Sequence, residues 1–433
     1  MHFLLVYTQM RPGGIETLIV RMANWLVTKG HRVTLLLKEP GDLLSLLDEK
    51  VEVEVLGPRI FWFFLPFVGR RYLRGYEDKN IDVIYSYCPE GCYFASYVYK
   101  YGFRERKPVF LNGIYSPYQF AHRGGIDVLG CMRMHIHLYN VYVDDGSKFF
   151  MSEEVRSGNE RILGTTVPGS VIWPLPIGVQ SFKDIERRVI PYRIVSIGRY
   201  IDFKTYNLYM IDVIEELVRD GYDATWEVYG YGRLEDEMRR RVKERKLEGR
   251  IFIRGLLPYS EFIKAMAVAH VFVGMGTSLI EAGFCGVPCV PAIMNDAKAI
   301  TYGSLYNLPY YSCGEILSDD FETVTVASAI RRLFDMTEAE YQAEADRTMQ
   351  YVKPYSLDLL MQKFIGYVEA APHIQNIDSY PGWRYGLYCI RWHCFQLRRI
   401  LAVRTRMRYL MGLCKKKWGL MAGKRWRNSI LSK

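Results

Sequence analysis

The sequence predicts an α/β fold: two doubly wound, Rossmann-like lobes with a cleft between them, followed by a basic helical tail. Strand-type and helix-type patterns alternate in two separate series, as expected of parallel sheets covered by helices. Glycine-containing turns follow several of the predicted strands. Because the carboxyl ends of parallel strands share one sheet edge, where ligands bind, we expect a ligand site in the cleft.

Length and composition limit the class of protein. The chain has 433 residues, of which 49% are hydrophobic and 24% charged, which is typical of a globular protein with two or three domains. No basic segment or cleavage site for secretion is visible, so a cytoplasmic location is predicted. The nine cysteines form no C-x-x-C pair, which argues against a disulfide framework and against a zinc site.

The first predicted lobe covers residues 1–168. A helix is predicted over 15–28, and strands are predicted at 2–7, 32–38, 51–56, 81–87, 107–112, 141–144 and 149–151. Gly13 and Gly14 separate the first strand from its helix, so Gly14 is a candidate contact for a phosphate at the helix N-terminus. A close turn with no ligand is the alternative. Neither G-x-G-x-x-G nor G-K-[ST] is present, which disfavours a dinucleotide fold and a P-loop.

A linker is predicted at 169–192, where the sequence WPLPIG is followed by a polar, charged stretch. The second lobe, 193–370, contains predicted strands at 193–197, 225–229, 250–253 and 271–273, and predicted helices at 206–220, 234–246 and 260–269. Arg199 and Lys204 follow its first strand. A guanidinium fork and a mobile ammonium suit a diphosphate, although such residues are commonly solvated.

The stretch 271–290 is predicted to form a strand, a tight turn, a helix and a second strand. Gly274 and Gly276 lie in the turn, and Glu281 lies about one turn into the helix, where it can accept hydrogen bonds from sugar hydroxyls. The alternative is a glycine-tolerant turn followed by a solvated glutamate.

The order and spacing of five motifs resemble those of retaining glycosyltransferases of the GT-B fold, family 4 (the "glycosyl transferases group 1" domain). The resemblance spans roughly residues 1–370 and is carried by GGIETLIVRMANWLVTKGHRVTLL (13–36), IGRYIDFK (197–204), VYGYGRLEDEMRRRV (228–242), RIFIRGLLPYSEF (250–262) and EAGFCGVPCV (281–290).

This resemblance implies a role for each matching residue. Arg199 and Lys204 would hold the diphosphate of the donor, Gly230 and Gly232 would flank its base, and Glu281 would bind the ribose hydroxyls. Gly14 would allow the acceptor lobe to close on the phosphates. It also implies retention of anomeric configuration by a front-face route, in which the departing phosphate takes the proton of the acceptor.

Two positions depart from the family pattern. The family's first glutamate would fall at Val273, so backbone amides of 274–277 and the hydroxyl of Thr277 or Ser278 would have to contact the donor. The histidine expected after a first-lobe strand is also absent. Asn112 or Ser116 is the candidate for its place, with His122 more distant.

The predicted chemistry depends on positive charge at the leaving diphosphate, supplied by Arg199 and Lys204. No D-x-D motif is present, and Asp144-Asp145 is interpreted as a turn or helix start, so we expect neither a metal nor a cofactor besides the nucleotide-sugar substrate.

Charge distribution predicts a membrane surface as a partner. The net charge is +10, but residues 379–433 contain fourteen Lys or Arg and no acid, which leaves 43 basic against 47 acidic residues elsewhere. Four tryptophans recur in the tail, 371–433, and the aromatic segment 60–68 is flanked by arginines. Both suit an anionic membrane and a lipid-linked saccharide acceptor in surface polysaccharide synthesis, although a solvated tail and a core helix are the respective alternatives. The acidic remainder disfavours nucleic acid.

Other functions remain open at this point. A nucleotide-sugar-binding protein without transferase activity would explain the missing glutamate and histidine. An epimerase on the same fold would need acid and base side chains near the sugar, and the sequence offers few.

Overall fold

The computed structural model describes residues 1–56, 73–121, 130–178, 186–309, 311–314, 321–372, 374–391 and 394. The aromatic segment 60–68, His122 and most of the basic tail lie outside these residues. Within them, no helix combines the length and the apolar character that crossing a bilayer requires.

The first lobe is built on a parallel seven-stranded sheet in the order β3-β2-β1-β4-β5-β6-β7. Its strands are β1 (His2–Gln9), β2 (Arg32–Glu39), β3 (Glu52–Val55), β4 (Val83–Tyr87), β5 (Val109–Ile114), β6 (Lys148–Phe150) and β7 (Val171–Ile172). Strand β1 lies in the middle of the sheet. Its apolar run Phe3–Val6 is fully buried, as expected of a parallel strand covered on both faces.

Four helices of the first lobe connect these strands within the described residues: α1 (Gly14–Thr28), α2 (Cys88–Gly102), α3 (Cys131–Tyr142) and α4 (Glu153–Leu163). Helix α1 buries Leu18, Met22 and Leu26, which repeat every four residues and so share one face. The strand predicted at 141–144 is wrong. Val141 and Tyr142 instead end α3, and residues 143–144 follow the helix, because His135, Leu138 and Tyr139 bury one helical face.

The second lobe contains a parallel five-stranded sheet in the order β10-β9-β8-β11-β12. Its strands are β8 (Arg193–Ile197), β9 (Thr225–Tyr229), β10 (Ile251–Arg254), β11 (Val271–Gly274) and β12 (Cys289–Pro291). The short strands β13 (Ile300–Thr301) and β14 (Val324–Thr325) pair antiparallel beside it. The helices are α5 (Tyr206–Arg219), α6 (Glu235–Glu244), α7 (Tyr259–Val268), α8 (Thr277–Phe284), α9 (Val326–Phe334) and α10 (Glu338–Val352). The predicted strand, turn, helix and strand at 271–290 are confirmed.

The boundaries between the lobes differ from the predicted ones. Strand β7, inside the predicted linker, pairs with β6 and closes the first sheet. Helix α11 (Leu357–Ala370), assigned by sequence to the second lobe, packs on the first: the Phe364 ring lies 5.3 Å from Tyr85 and 5.3 Å from Trp173. The chain leaves the first lobe near Ile177 and returns to it near Tyr355. These two segments lie side by side, since Ile177 N–H donates to the Tyr355 carbonyl at 2.8 Å.

The first part of the predicted tail belongs to the core of the first lobe. The Gln375 side-chain amide accepts from Phe110 N–H at 2.7 Å and donates to the Phe110 carbonyl at 3.2 Å. Phe110 lies on β5 two residues before Asn112, where the pairing of β5 with β6 begins. Tyr380, Tyr385 and Tyr388 are buried, and all three rings lie near the ring of Tyr93 of α2. An amide and three aromatic rings therefore continue the fold beyond residue 370.

Candidate active site

A cavity of about 1210 Å³ lies between the two lobes. The first lobe contributes residues from the start of α1, the start of α2, the segment after β5, and α3; the second contributes the ends of β8 and β9 and the start of α8. Of the predicted site residues, the cavity wall includes Gly14, Arg199, Lys204, Gly230, Gly276, Thr277, Ser278 and Glu281. Gly232, Gly274 and Asn112 are not part of the wall.

The turn after β8 presents the two predicted cations to the cavity. Arg199 is exposed, and its guanidinium makes no hydrogen bond to another described residue. Lys204 is half-buried, and its pKa is lowered to about 8 by desolvation and by the nearby positive charge of Arg199. Two cations at one turn, neither in an ion pair with a described residue, favour an anionic ligand.

A buried amide holds this turn in place. The Asn207 side chain donates to the carbonyls of Arg199, at 3.1 Å, and Lys204, at 3.0 Å, and Asn207 is fully buried. The sequence analysis did not single out Asn207, because an asparagine at a helix start is a common capping residue. These two hydrogen bonds fix the backbone at Arg199 and Lys204, the residues that carry the two cations.

Gly230 and Gly232 pack the turn after β9 directly on the turn after β8. Gly230 has a φ of 155°, and an added Cβ would lie 1.9 Å from the Gly198 carbonyl oxygen. At Gly232, φ is 150° and the added Cβ would lie 2.3 Å from the Tyr200 carbonyl oxygen. Both positions require glycine to join the two turns, and Gly230 also faces the cavity.

The turn before α8 has the predicted form. Gly276 has a φ of 81°, and its N–H donates to the Cys313 carbonyl at 2.9 Å. Thr277 begins the helix and faces the cavity, while the Ser278 hydroxyl donates to the carbonyl of Ile197 at 2.9 Å. Gly274 ends β11 below the cavity surface. The helix N-terminus therefore points at the cleft beside the turn after β8.

Glu281 is buried and pairs with a residue of the opposite lobe. Arg21 of α1 donates to its Oε1, and the two side chains are 10% and 7% exposed. Burial raises the pKa of Glu281, and the charge of Arg21 opposes this shift. The described residues provide no partner for Oε2, which leaves one carboxylate oxygen for a ligand at the cavity wall.

At the start of α1, Gly14 is exposed and an added Cβ would meet no atom within 4 Å. Glu16 lies one half-turn further on and accepts from the Tyr7 hydroxyl at 3.2 Å. Burial raises the pKa of Glu16, opposed by the Tyr7 hydrogen bond and by the charge of Arg199 across the cleft. An acidic first-turn residue of the first lobe thus lies within electrostatic range of the second-lobe cation.

Asn112 does not occupy the position that the sequence analysis suggested for it. It is fully buried within β5, and its Nδ2 donates to Ser86 Oγ at 2.9 Å and to the carbonyls of Ser86, at 3.1 Å, and Cys88, at 3.4 Å. Side chains of a parallel strand alternate between sheet faces, so the last residues of a strand need not point beyond its end. Ser116, the other candidate, does reach the cavity wall.

Glu90, His135 and Tyr231 are polar wall residues that were not among the predicted site residues. Glu90 lies in the first turn of α2, His135 lies on α3 with its ring 4.9 Å from that of Tyr388, and the Tyr231 hydroxyl donates across the cleft to the Pro12 carbonyl at 3.4 Å. Glu90 follows the end of a predicted strand, which is the pattern that singled out the second-lobe residues. His135 lies in the middle of a helix, so this pattern does not indicate it. Across the described parts of the chain, no three His, Cys, Asp or Glu residues gather as a metal site would require.

Comparison with known proteins identifies the fold. No protein-family model matches the chain, and no curated protein matches its sequence. Among solved structures, Anabaena Alr3699/HepE in complex with UDP and glucose matches with a TM-score of 0.60 at 12% identity, over 85% of this chain and 99% of that one.

A glycosyltransferase from Rickettsia africae ESF-5 matches with a TM-score of 0.60 at 13% identity, over 85% and 98% of the two chains. The lipopolysaccharide outer core galactosyltransferase WaaB matches with a TM-score of 0.57 at 15% identity, over 86% and 99%. At these identities the likeness shows architecture. The chain has the two-lobed GT-B fold, and its structural neighbours include glycosyltransferases.

Proposed function

We propose that this chain is a metal-independent glycosyltransferase that moves a sugar from a nucleotide-sugar donor to a saccharide acceptor with retention of anomeric configuration. The observation that carries the proposal is the turn after β8, where Arg199 and Lys204 face the cavity opposite the N-terminus of α1. A similar structure solved with UDP and glucose supports a nucleotide sugar as the donor class.

In this proposal the diphosphate lies between Arg199, Lys204 and the N-termini of α1 and α8. As the bond between the anomeric carbon and the diphosphate oxygen breaks, these groups stabilise the negative charge that develops on the leaving group, and losing one such donor costs about 10²–10³ in rate. The acceptor oxygen bonds to the anomeric carbon from the same face, and its proton passes to the departing diphosphate. Glu281 Oε2 binds ribose hydroxyls.

The acceptor is proposed to be lipid-linked and used in surface polysaccharide synthesis, with the enzyme bound to an anionic membrane. This part rests on the basic, tryptophan-containing tail and the aromatic segment 60–68 in the sequence. Its test is vesicle binding by the full chain and by a variant that lacks residues 395–433 and has polar residues at 61–64. Equal binding of both to anionic vesicles would contradict it.

A thermal-shift screen with UDP, GDP, ADP and CDP tests donor binding first. A ligand at a hundred times its Kd adds about 2.7 kcal/mol of stability, so the preferred base is readily identified. R199M and K204M should remove the shift, whereas the exposed controls R219M and K243M, which lie on outer helices, should retain it.

Turnover then separates transfer from binding alone. Nucleotide sugars of the preferred base are incubated with saccharide acceptors, and released nucleotide is measured together with the anomeric configuration of the product by NMR. A product with inverted configuration would contradict the retaining route.

The alternative function is a nucleotide-sugar-binding protein without turnover. One observation favours it: Val273, at the position of the family's first glutamate, is a fully buried strand residue, so no carboxylate can reach the sugar from there. Tight nucleotide-sugar binding with no product across the acceptor panel would support this alternative.

A further inference from the structure

The first-lobe side of the cavity contains one carboxylate among its described wall residues, Glu90. Its Oε1 lies 3.3 Å from Lys38 Nζ, and the Glu90 side chain is 34% exposed whereas that of Lys38 is 6% exposed. The described residues provide no hydrogen-bond partner for Oε2. One oxygen is thus paired with a buried cation, while the Glu90 side chain as a whole is one-third exposed and lies at the cavity wall.

The backbone around Glu90 is held in an unusual conformation. Cys88, the first residue of α2 and directly after β4, has a φ of 60°, which is strained for a residue with a Cβ. The buried Asn112 amide contacts the Cys88 carbonyl at 3.4 Å and Ser86 on the strand side. Local strain persists where the surroundings enforce it, commonly at ligand sites. The turn thereby places Glu90 at the N-terminus of α2, where the helix dipole favours a carboxylate.

Apolar and aromatic side chains line the cavity together with Glu90. Tyr388, from the segment 374–391, and Met132 of α3 are part of the cavity wall, and so is Tyr118, which is 48% exposed. A sugar ring presents hydroxyl groups at its edge and C–H groups on its faces. A carboxylate next to aromatic rings matches both, since hydroxyls donate to the carboxylate and C–H groups pack on the rings.

We propose that Glu90 is a specificity-determining residue that binds a hydroxyl group of the acceptor saccharide, with Lys38 as the positioning residue that orients its carboxylate. This inference rests on the proposed transferase function and adds the residues that select the acceptor. Donor residues lie on the opposite lobe, so donor binding and acceptor binding are separable by mutation.

A purely structural ion pair is the competing explanation, because a buried Lys38 needs a counter-charge. The double variant K38M/E90Q distinguishes the two. It removes both charges with little change in volume, so it should recover the stability that E90Q alone loses, while the carboxylate remains absent from the cavity.

The experiment uses the full chain, saturated with UDP, and methyl α- and β-glycosides of glucose, galactose, mannose and N-acetylglucosamine as probes. Saccharide Kd values are measured by NMR titration, the UDP Kd by calorimetry, and Tm by scanning calorimetry. For the glycoside that binds best, E90Q and K38M/E90Q should each weaken binding about tenfold to a hundredfold, with an unchanged UDP Kd.

Lys148 and Asp145 provide the matched control. Their ion pair is 2.8 Å long, with a lysine 2% exposed and a carboxylate 39% exposed, and neither residue is part of the cavity wall. D145N and K148M/D145N should follow the same stability pattern as the Glu90 variants and leave saccharide binding unchanged.

Three results would overturn the proposal. Saccharide binding by K38M/E90Q that recovers together with Tm would assign the pair a structural role only. Wild-type protein that binds UDP but none of the glycosides would remove Glu90 as an acceptor contact. Absence of binding to UDP, GDP, ADP and CDP alike would instead overturn the proposed function itself, on which this inference rests.

Discussion

Arg21 of the first lobe and Glu281 of the second form a buried ion pair that joins the lobes at the wall of the cavity. The same carboxylate is the one proposed to bind ribose. Glu281 therefore has two partners in this proposal: Arg21, which binds Oε1, and the ribose of the donor, which would bind Oε2. We infer that the pair both orients Glu281 and contributes to the contact between the lobes.

R21M should destabilise the protein by about 3–5 kcal/mol, because it leaves the Glu281 carboxylate buried without a counter-charge. Urea unfolding followed by tryptophan fluorescence measures this. R21M/E281M should be close to the wild type in stability, since apolar residues of similar size can replace a buried ion pair. The double variant should nevertheless lose UDP binding.

The control for this prediction is K29M, at the residue that follows the end of the same helix. Lys29 and Asp358 lie 3.8 Å apart, with side chains 47% and 53% exposed, so their removal should cost about 1 kcal/mol or less. If R21M and K29M lost the same small amount, the interlobe pair would have no special energetic role.

Glu281 and Arg21 also show which parts of the site could be predicted from the sequence and which could not. Glu281 could be predicted because a βα turn has a local glycine and periodicity pattern. Its partner lies 260 positions away on another lobe, and no spacing rule connects the two. The sheets were predictable for the same local reason, whereas the return of α11 and residues 374–391 to the first lobe is a matter of tertiary packing, which Phe364 and Gln375 establish through distant contacts.

G230A should disrupt the second-lobe site. The left-handed backbone alone costs about 1–3 kcal/mol for a residue with a Cβ, and the contact with the Gly198 carbonyl adds to this. We expect a lower Tm and loss of the UDP-induced thermal shift. G249A, where an added Cβ meets no atom within 4 Å and φ is not positive, should leave both unchanged.

G14A should weaken UDP binding without lowering stability, unlike G230A. Its added Cβ also meets no atom within 4 Å, and alanine is the better helix former, so the free energy of unfolding should be unchanged or slightly higher. UDP affinity should fall, because the methyl group would occupy the space through which a phosphate approaches the N-terminus of α1. Unchanged calorimetric UDP affinity would place the phosphates elsewhere.

N112A should reduce stability without affecting donor binding. It removes a buried amide that donates to Ser86 and to the Cys88 carbonyl, which costs about 1–3 kcal/mol. UDP affinity should stay within about twofold of the wild type, since Asn112 is not part of the cavity wall. Loss of UDP affinity at unchanged Tm would restore Asn112 as a ligand contact.

UDP binding should weaken as the pH rises above 8, because of Lys204. The pKa of Lys204 is lowered to about 8 by burial and by Arg199, so the ammonium loses its proton just above neutral pH. A bound diphosphate stabilises the charged form and raises this pKa, so binding takes up a proton between the two values. Affinity should be nearly constant below pH 7 and fall by up to about tenfold per unit above pH 8.

Up to about pH 9 the nucleotide itself does not produce this dependence, because a terminal phosphate with a second pKa of about 6 is already ionised and the uracil N3–H still keeps its proton. Calorimetry at pH 8.5 in two buffers of different ionisation enthalpy should therefore report proton uptake. K204R keeps a charge at every pH in this range, so its UDP affinity should be independent of pH between about 7 and 9. The same decline in K204R as in the wild type would show that another group titrates, and Lys204 would then have no direct contact with the diphosphate.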